Sequence, residues 1–235
     1  MSERYLAQVA LVAGGTGGLG RAVSLAFLEQ GATVVVTYRR PEQFEALRQA
    51  AGAHASRLEG YVIDVTNDAA VRQMIASVVA KHEKIDAMTN TVGGYAAGQK
   101  LWEAEPAILE QMLSLNLYSG YVLARSVVPA MLKQGRGAIV NVASRAAIDH
   151  AASAAAYAAS KAAAVAMVDS LAADLKGSGI RANSILPSII DTEANRKAVP
   201  DADFAKWPKS QDIAEVILFL CSDDAKLIHG AAIPV

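Results

Sequence analysis

The chain has 235 residues, 53% of them hydrophobic, with 23 acidic side chains against 22 basic ones for a formal charge of -1. That length and apolar content suit one α/β domain with a full core. The near-zero charge argues against nucleic acid as the main partner, because phosphate binding needs a basic surface. No apolar run reaches the roughly 18 residues of a membrane span, so no membrane is expected among its partners.

Short β-branched runs alternate with longer helical stretches along the chain. The start, Met1-Ser2-Glu3-Arg4-Tyr5, carries an acid and lacks the basic and long apolar regions of a signal peptide, so a cytoplasmic protein is expected. Val9–Val12 reads as the first strand. It leads through Gly14-Gly15-Thr16-Gly17-Gly18-Leu19-Gly20 into a helix near 18–30. Thr33–Thr37 is the second strand, followed by Tyr38-Arg39-Arg40 and a helix near 41–51. Tyr61–Ile63, a helix near 67–82 and Ile85–Met88 follow. One long helix is expected over about 106–133, then a strand over Ala138–Val142 and a helix near 153–176. Ala182–Leu186, an irregular segment over about 187–209, a helix near 211–221 and a short strand over Ala232–Val235 complete the chain. The runs are apolar without alternation, which marks strands buried on both faces. Strand–helix repetition implies a doubly wound, mostly parallel sheet of about seven strands in a single domain spanning 1–235, with helices on both faces. Loops as long as 187–209 are often functional lids.

Glycines between a strand and a helix allow a tight turn and close approach to a pyrophosphate at the helix N-terminus. After the second strand no carboxylate is present to accept bonds from ribose hydroxyls. Arg39 or Arg40 can instead pair with a 2′-phosphate, with Arg21 as a third positive charge, so NADP(H) is expected over NAD(H).

Tyr157 and Lys161 lie one helical turn apart on one face. A free phenol titrates near pH 10, and a neighbouring ammonium is expected to lower that value. Tyr157 can then act as acid in reduction and as base in oxidation. Ser144, just past the fifth strand, can donate a hydrogen bond to a carbonyl oxygen as charge develops there. Glycine turn, serine, tyrosine and lysine together point to hydride transfer to or from a carbonyl. Cys221 is the one cysteine, so no intrachain disulfide is possible, and its apolar helical run predicts a buried thiol. His54, His82, His150 and His229 lack metal-ligand spacing, so no metal is expected. His150 reads as an exposed loop histidine.

From about residue 7 to its end the chain resembles the short-chain dehydrogenase/reductase family, which implies a Rossmann fold. The order of independent motifs carries the resemblance: the glycine turn at 14–20, Asp64, Asn90-Thr91-Val92-Gly93, Asn116, Ser144, Tyr157/Lys161 and Pro187 to Thr192. By that resemblance Asp64 holds an adenine ring, Asn90 steadies the central strands, Thr192 contacts a nicotinamide carboxamide, and Asn116 holds a water that extends the proton path. It implies cofactor contacts from Gly14, Thr16, Gly17, Gly18, Leu19, Gly20, Tyr38, Arg39, Arg40, Asp64, Val65, Asn90, Val92, Gly93, Tyr157, Lys161, Pro187, Ile190 and Thr192. The catalytic set implied is Asn116, Ser144, Tyr157 and Lys161.

Three positions depart from the family pattern: Ala13 replaces a threonine, Thr91 a second asparagine, and Ser188 a glycine. Ala13 leaves one side-chain hydrogen bond near the glycine turn missing. Small-molecule carbonyl or alcohol contacts are expected from Gly94-Tyr95-Ala96, from 145–150 and from 188–209, at the carboxyl ends of strands. In the family the helices matching 106–133 and 153–176 pair across a subunit interface, which implies a homodimer or homotetramer. Gly93–Gly98, Ala146–Asp149 and parts of 186–207 resemble the dihydropteridine reductase branch. That branch usually uses NADH and lacks the serine that this chain keeps at Ser144. A pterin reductase and a non-enzymatic NADP-binding regulator remain as alternatives to a carbonyl reductase.

Overall fold

The computed structural model describes residues 4–235, so the acid-bearing start at 1–3 lies outside the described residues. Seven strands form one parallel sheet in the order β3-β2-β1-β4-β5-β6-β7. They are β1 (Val9–Ala13), β2 (Thr33–Tyr38), β3 (Leu58–Val62), β4 (Ala87–Asn90), β5 (Gly137–Val142), β6 (Ile180–Leu186) and β7 (Ala232–Pro234). The helices are α1 (Gly18–Glu29), α2 (Pro41–Ala51), α3 (Asp68–His82), α4 (Pro106–Leu113), α5 (Ser119–Gln134), α6 (Ala155–Asp174), α7 (Glu193–Ala198) and α8 (Ser210–Cys221).

The unalternating strands are explained by burial on both sides. Ala10 and Val12 of β1 pack with Phe27 of α1 and Ile217 of α8, while Val9 and Leu11 pack on the opposite face with Met74 of α3 and Val127 of α5. Each such aliphatic side chain contributes about 1.5–3 kcal/mol on burial. The strand order reverses between β1 and β4, which are paired directly. This opens a crevice at the carboxyl ends of the strands, where open α/β sheets take their ligands.

Three expectations need correction. The third strand starts at Leu58 rather than Tyr61, and it is only half-buried, as expected of a strand near the sheet edge. The helix expected over 106–133 is two helices joined by a wide π turn at Ser114–Tyr118. Such turns occur mostly as single interruptions and often at functional sites. The segment 187–209 is not wholly irregular. Thr192 caps α7 by accepting a hydrogen bond from the Asn195 N–H at 3.2 Å, and a 3-10 turn covers Phe204–Lys206.

Candidate active site

The glycine turn joins β1 to α1. Gly14 adopts φ +72, a left-handed conformation that side chains resist. Its N–H donates to Thr37 Oγ1 at 2.9 Å, and its carbonyl accepts from Gly17 N–H at 3.0 Å. A Cβ on Gly20 would overlap the Gly14 carbonyl, so the first turn of α1 closes onto the loop only because that position is bare. The Thr192 side chain packs over Gly18 from across the crevice.

A cleft of about 610 Å³ opens beside this turn. Ten of the expected cofactor residues line it: Gly14, Thr16, Gly17, Tyr38, Arg39, Arg40, Asp64, Val65, Val92 and Gly93. Thr37, Gln43, Ile63, Thr91 and Leu115 line it as well and were not among the expected contacts. Thr37 was readable, since it directly precedes the Tyr-Arg-Arg run, whereas Gln43 and Leu115 arrive from helical segments and carry no local signal. Leu19 and Gly20 are buried in α1, and Gly18, Asn90, Pro187, Ile190 and Thr192 lie outside the cleft wall. Asn90 is instead internal, donating to Asn141 Oδ1 at 3.0 Å and accepting from Val92 N–H at 3.1 Å.

Arg39 and Arg40 are exposed at the cleft's edge. Arg40 lies 3.9 Å from Glu42, while Arg39 forms no ion pair among the described residues. Asp64 accepts hydrogen bonds from the Thr66 N–H and hydroxyl at 2.9 and 2.8 Å. These bonds, with Arg39 as a weaker influence, hold its carboxyl below the usual range. Tyr38 stacks on Phe44 with ring centroids 4.7 Å apart.

The cleft fits a dinucleotide: a bare left-handed glycine turn at a helix N-terminus, an acid set apart from it, and unpaired positive charge at one edge. Gly93 joins this cleft to the second group of residues. A Cβ there would meet Asn116 Oδ1 and Lys161 Nζ, at 2.9 and 3.2 Å.

The second group is assembled by β5, the π turn and α6. Ser144 follows β5 in extended conformation and accepts from the Ala146 N–H at 3.2 Å, capping a short 3-10 turn. Tyr157 and Lys161 occupy the first two turns of α6. Lys161 is 5% exposed and donates to the Val142 carbonyl at 3.1 Å, with its nitrogen 6.0 Å from the centre of the Tyr157 ring. Burial pushes its ammonium down to about 8. The Tyr157 phenol is pushed above its ordinary value, not below it as the lysine spacing had suggested. Burial is the main cause, the Ser144 hydroxyl pulls the other way, and the Tyr95 phenol adds to the rise. The Lys161 nitrogen stands 6.0 Å from the ring centre and donates to Val142 rather than to the phenol, so desolvation by burial prevails.

Asn116 sits in the π turn, buried. Its Oδ1 accepts from the Gly94 N–H at 2.8 Å, and its Nδ2 donates to the Gly94 carbonyl at 3.0 Å and to Ser160 Oγ at 2.9 Å. Of the expected substrate contacts, Tyr95 reaches Tyr157, with ring centroids 4.8 Å apart at 77°. His150 is exposed, and Cys221 is buried with its thiol pushed up to about 12. An apolar hollow of about 410 Å³, lined in part by Ala96, Ile108, Ala155 and Ala159, is a separate feature. Its wall joins the segment that follows Tyr95, through Ala96 and Ala97, to the first turns of α6 and to α4.

The short chain dehydrogenase family model matches residues 8–203. A 3-oxoacyl-[acyl-carrier-protein] reductase of Thermotoga maritima is 30% identical over 240 residues, covering 99% of this chain and 97% of that protein. Among solved structures, ElxO with NADP bound has a TM-score of 0.92 at 25% identity, covering 97% of this chain and 96% of that one. An NAD+-bound xylitol dehydrogenase also has a TM-score of 0.92, at 26% identity, covering 99% and 98%. These matches extend well beyond the motifs, across both halves of the sheet, and the chain belongs to the short-chain dehydrogenase family of nicotinamide-dependent oxidoreductases.

Proposed function

We propose that this chain is an NADP(H)-dependent reductase or dehydrogenase interconverting a carbonyl and an alcohol, with Tyr157 as general acid and base. The observation that carries it is the junction at Gly93, where the glycine-turn cleft meets Lys161 and Asn116. A dinucleotide bound there supplies or accepts the hydride.

The protein's part follows from its own atoms. The raised Tyr157 phenol is protonated at neutral pH and can donate to a carbonyl oxygen. Ser144 offers a second hydroxyl to the same oxygen. Lys161, titrating at about 8, can pass between charged and neutral forms near physiological pH and so return a proton to the tyrosine. Asn116 keeps the β4–α4 segment against α6 while this happens. Gly14, Thr16 and Gly17 would hold the pyrophosphate, Asp64 and Val65 the adenine, and Arg39 and Arg40 a 2′-phosphate. The charge of Arg39, unpaired among the described residues, and the missing acid after β2 support NADP(H) over NAD(H), while the solved neighbours include both NADP-bound and NAD-bound proteins.

Retention of Ser144 and the oxoacyl reductase relative support a keto substrate, and the pterin and regulator alternatives are not favoured. Apolar hollows continue along the groove between α4–α5 and α6, where Tyr118 and Tyr121 are exposed beside Ala163, Ala166 and Met167. We assign that face to a second copy of the chain, giving a dimer or tetramer that sedimentation would detect.

The functional test is NADPH oxidation against a carbonyl panel that includes a quinonoid dihydropterin, with Tyr157→Phe in parallel. Turnover of a ketone that collapses in the variant is expected. Turnover of the pterin alone would overturn the reading.

A further inference from the structure

Tyr95 is 72% exposed, yet its ring stands nearly perpendicular to that of Tyr157, with centroids 4.8 Å apart at 77°. Exposed aromatic rings on loops usually move freely. This one stands on a segment tied down at both ends. Upstream, the Asn116 side chain grips both the N–H and the carbonyl of Gly94. The absence of a side chain at Gly94 lets that peptide lie against Leu115 of the π turn. Downstream, the Gly98 N–H donates to the Ser153 carbonyl at 2.8 Å, just ahead of α6. The Asn116 amide also donates to Ser160 Oγ, which in turn donates to the Tyr157 carbonyl at 2.8 Å. The buried Asn116 amide therefore ties the Gly94 peptide, one residue before Tyr95, to the turn of α6 that carries Tyr157.

We propose that Tyr95 is a positioning residue for Tyr157: with its segment tied down through Asn116 and Ser153, its ring holds the phenol at one tilt and keeps bulk water from that face. This rests on the reading of Tyr157 as the proton donor. A tilted ring contact is worth about 0.5–1.5 kcal/mol, or about two- to tenfold in rate if it is made fully only at the transition state. The groups that face the phenol are Ser144 from the end of β5, Tyr95 from the β4–α4 segment and Lys161 from α6 itself. Removing the Tyr95 ring leaves Ser144 and Lys161 in place and lets water reach the phenol, which favours its ionised form.

The test is ultraviolet titration of the free protein. The difference between each chain and its Tyr157→Phe counterpart isolates the phenol of Tyr157. We expect its midpoint to fall in Tyr95→Ala and to stay closer to the parent in Tyr95→Phe, which keeps the ring. An unchanged midpoint in Tyr95→Ala overturns the proposal, and so does a Tyr95→Phe value equal to that of Tyr95→Ala. With a ketone substrate, kcat is expected to fall about two- to tenfold in Tyr95→Ala, with recovery in Tyr95→Phe. A rise in KM with kcat unchanged would make Tyr95 a simple substrate contact and overturn the positioning role. Full turnover by Tyr157→Phe would instead sink the parent reading, while the titration would still decide what Tyr95 does to its neighbour.

Discussion

The Thr91 hydroxyl donates to the Ala13 carbonyl at 2.7 Å, alongside the Thr91 N–H, which donates to the same oxygen at 3.0 Å. This pair ties the end of β1 to the end of β4 by two bonds to one oxygen. Ala13 has no side-chain hydroxyl of its own, and the Thr91 hydroxyl supplies one at that junction. The same hydroxyl lies where a Cβ on Gly20 would have to go, so it also braces the first turn of α1. Thr91→Val keeps the shape and loses the bond. We expect a cost of about 1 kcal/mol in urea unfolding, with weaker dinucleotide binding measured by nucleotide fluorescence. Adding Ala13→Thr to that variant should recover part of both.

Arg39 stands at the cleft edge with its charge free among the described residues. Arg39→Glu reverses that charge and is expected to raise the KM for NADPH about tenfold or more, the worth of one charge-assisted hydrogen bond. NADH should be affected little or helped. Equal losses with both nucleotides would point to a general disturbance of the cleft.

Tyr157→Phe removes the proton donor and keeps the ring that meets Tyr95. A loss of about 10²- to 10⁴-fold in kcat is expected, with NADPH affinity within about twofold of the parent by titration of nucleotide fluorescence.

Much of this was legible before folding. The apolar runs gave the strands, because burial on both faces demands unbroken hydrophobicity. The glycine turn, Arg39, Asp64, Ser144, Tyr157 and Lys161 carry local patterns, and folding brings them to the carboxyl ends of the strands. Less legible were features set by distant neighbours. The start of β3 at Leu58 depends on pairing with β2, and Gly60 inside it leaves space for the rings of Phe44 and Tyr38. The π turn at Ser114–Tyr118 contains neither glycine nor proline to announce it. The raised phenol of Tyr157 could not be anticipated, since the i, i+4 spacing of Lys161 says nothing of Val142, where its ammonium is bonded. The Thr192 cap of α7 was readable from Thr-Glu-Ala-Asn, and the length of the segment hid it.

Burial of Lys161 has a stability consequence with a definite direction. Its folded value of about 8 lies below the 10.5 of a free lysine. Below about 8 the ammonium is charged in both states, and its burial costs the fold about 3 kcal/mol. Between about 8 and 10.5 the unfolded chain holds a proton that the folded chain has released, so stability rises with pH across that window. Lys161→Met removes the charge and leaves the Val142 carbonyl without this donor. The variant's stability relative to the parent should therefore decline as pH climbs from 8 to 10.5, read by urea unfolding at fixed ionic strength. A constant difference would contradict the depressed lysine.

The reversal of strand order between β1 and β4 divides the labour of the molecule. Arg39, Asp64 and most of the glycine turn belong to the β1–β2–β3 side, while Ser144, Tyr157 and Lys161 belong to the β4–β5–β6 side. The halves meet at Gly93, but among the described residues Arg39 shares no hydrogen bond or ion pair with Ser144, Tyr157 or Lys161, and sites without shared partners tend to act additively. Coenzyme choice and substrate choice are thus separately tunable: a change that turns the protein from one nicotinamide to the other should combine with a change of substrate preference without either erasing the other.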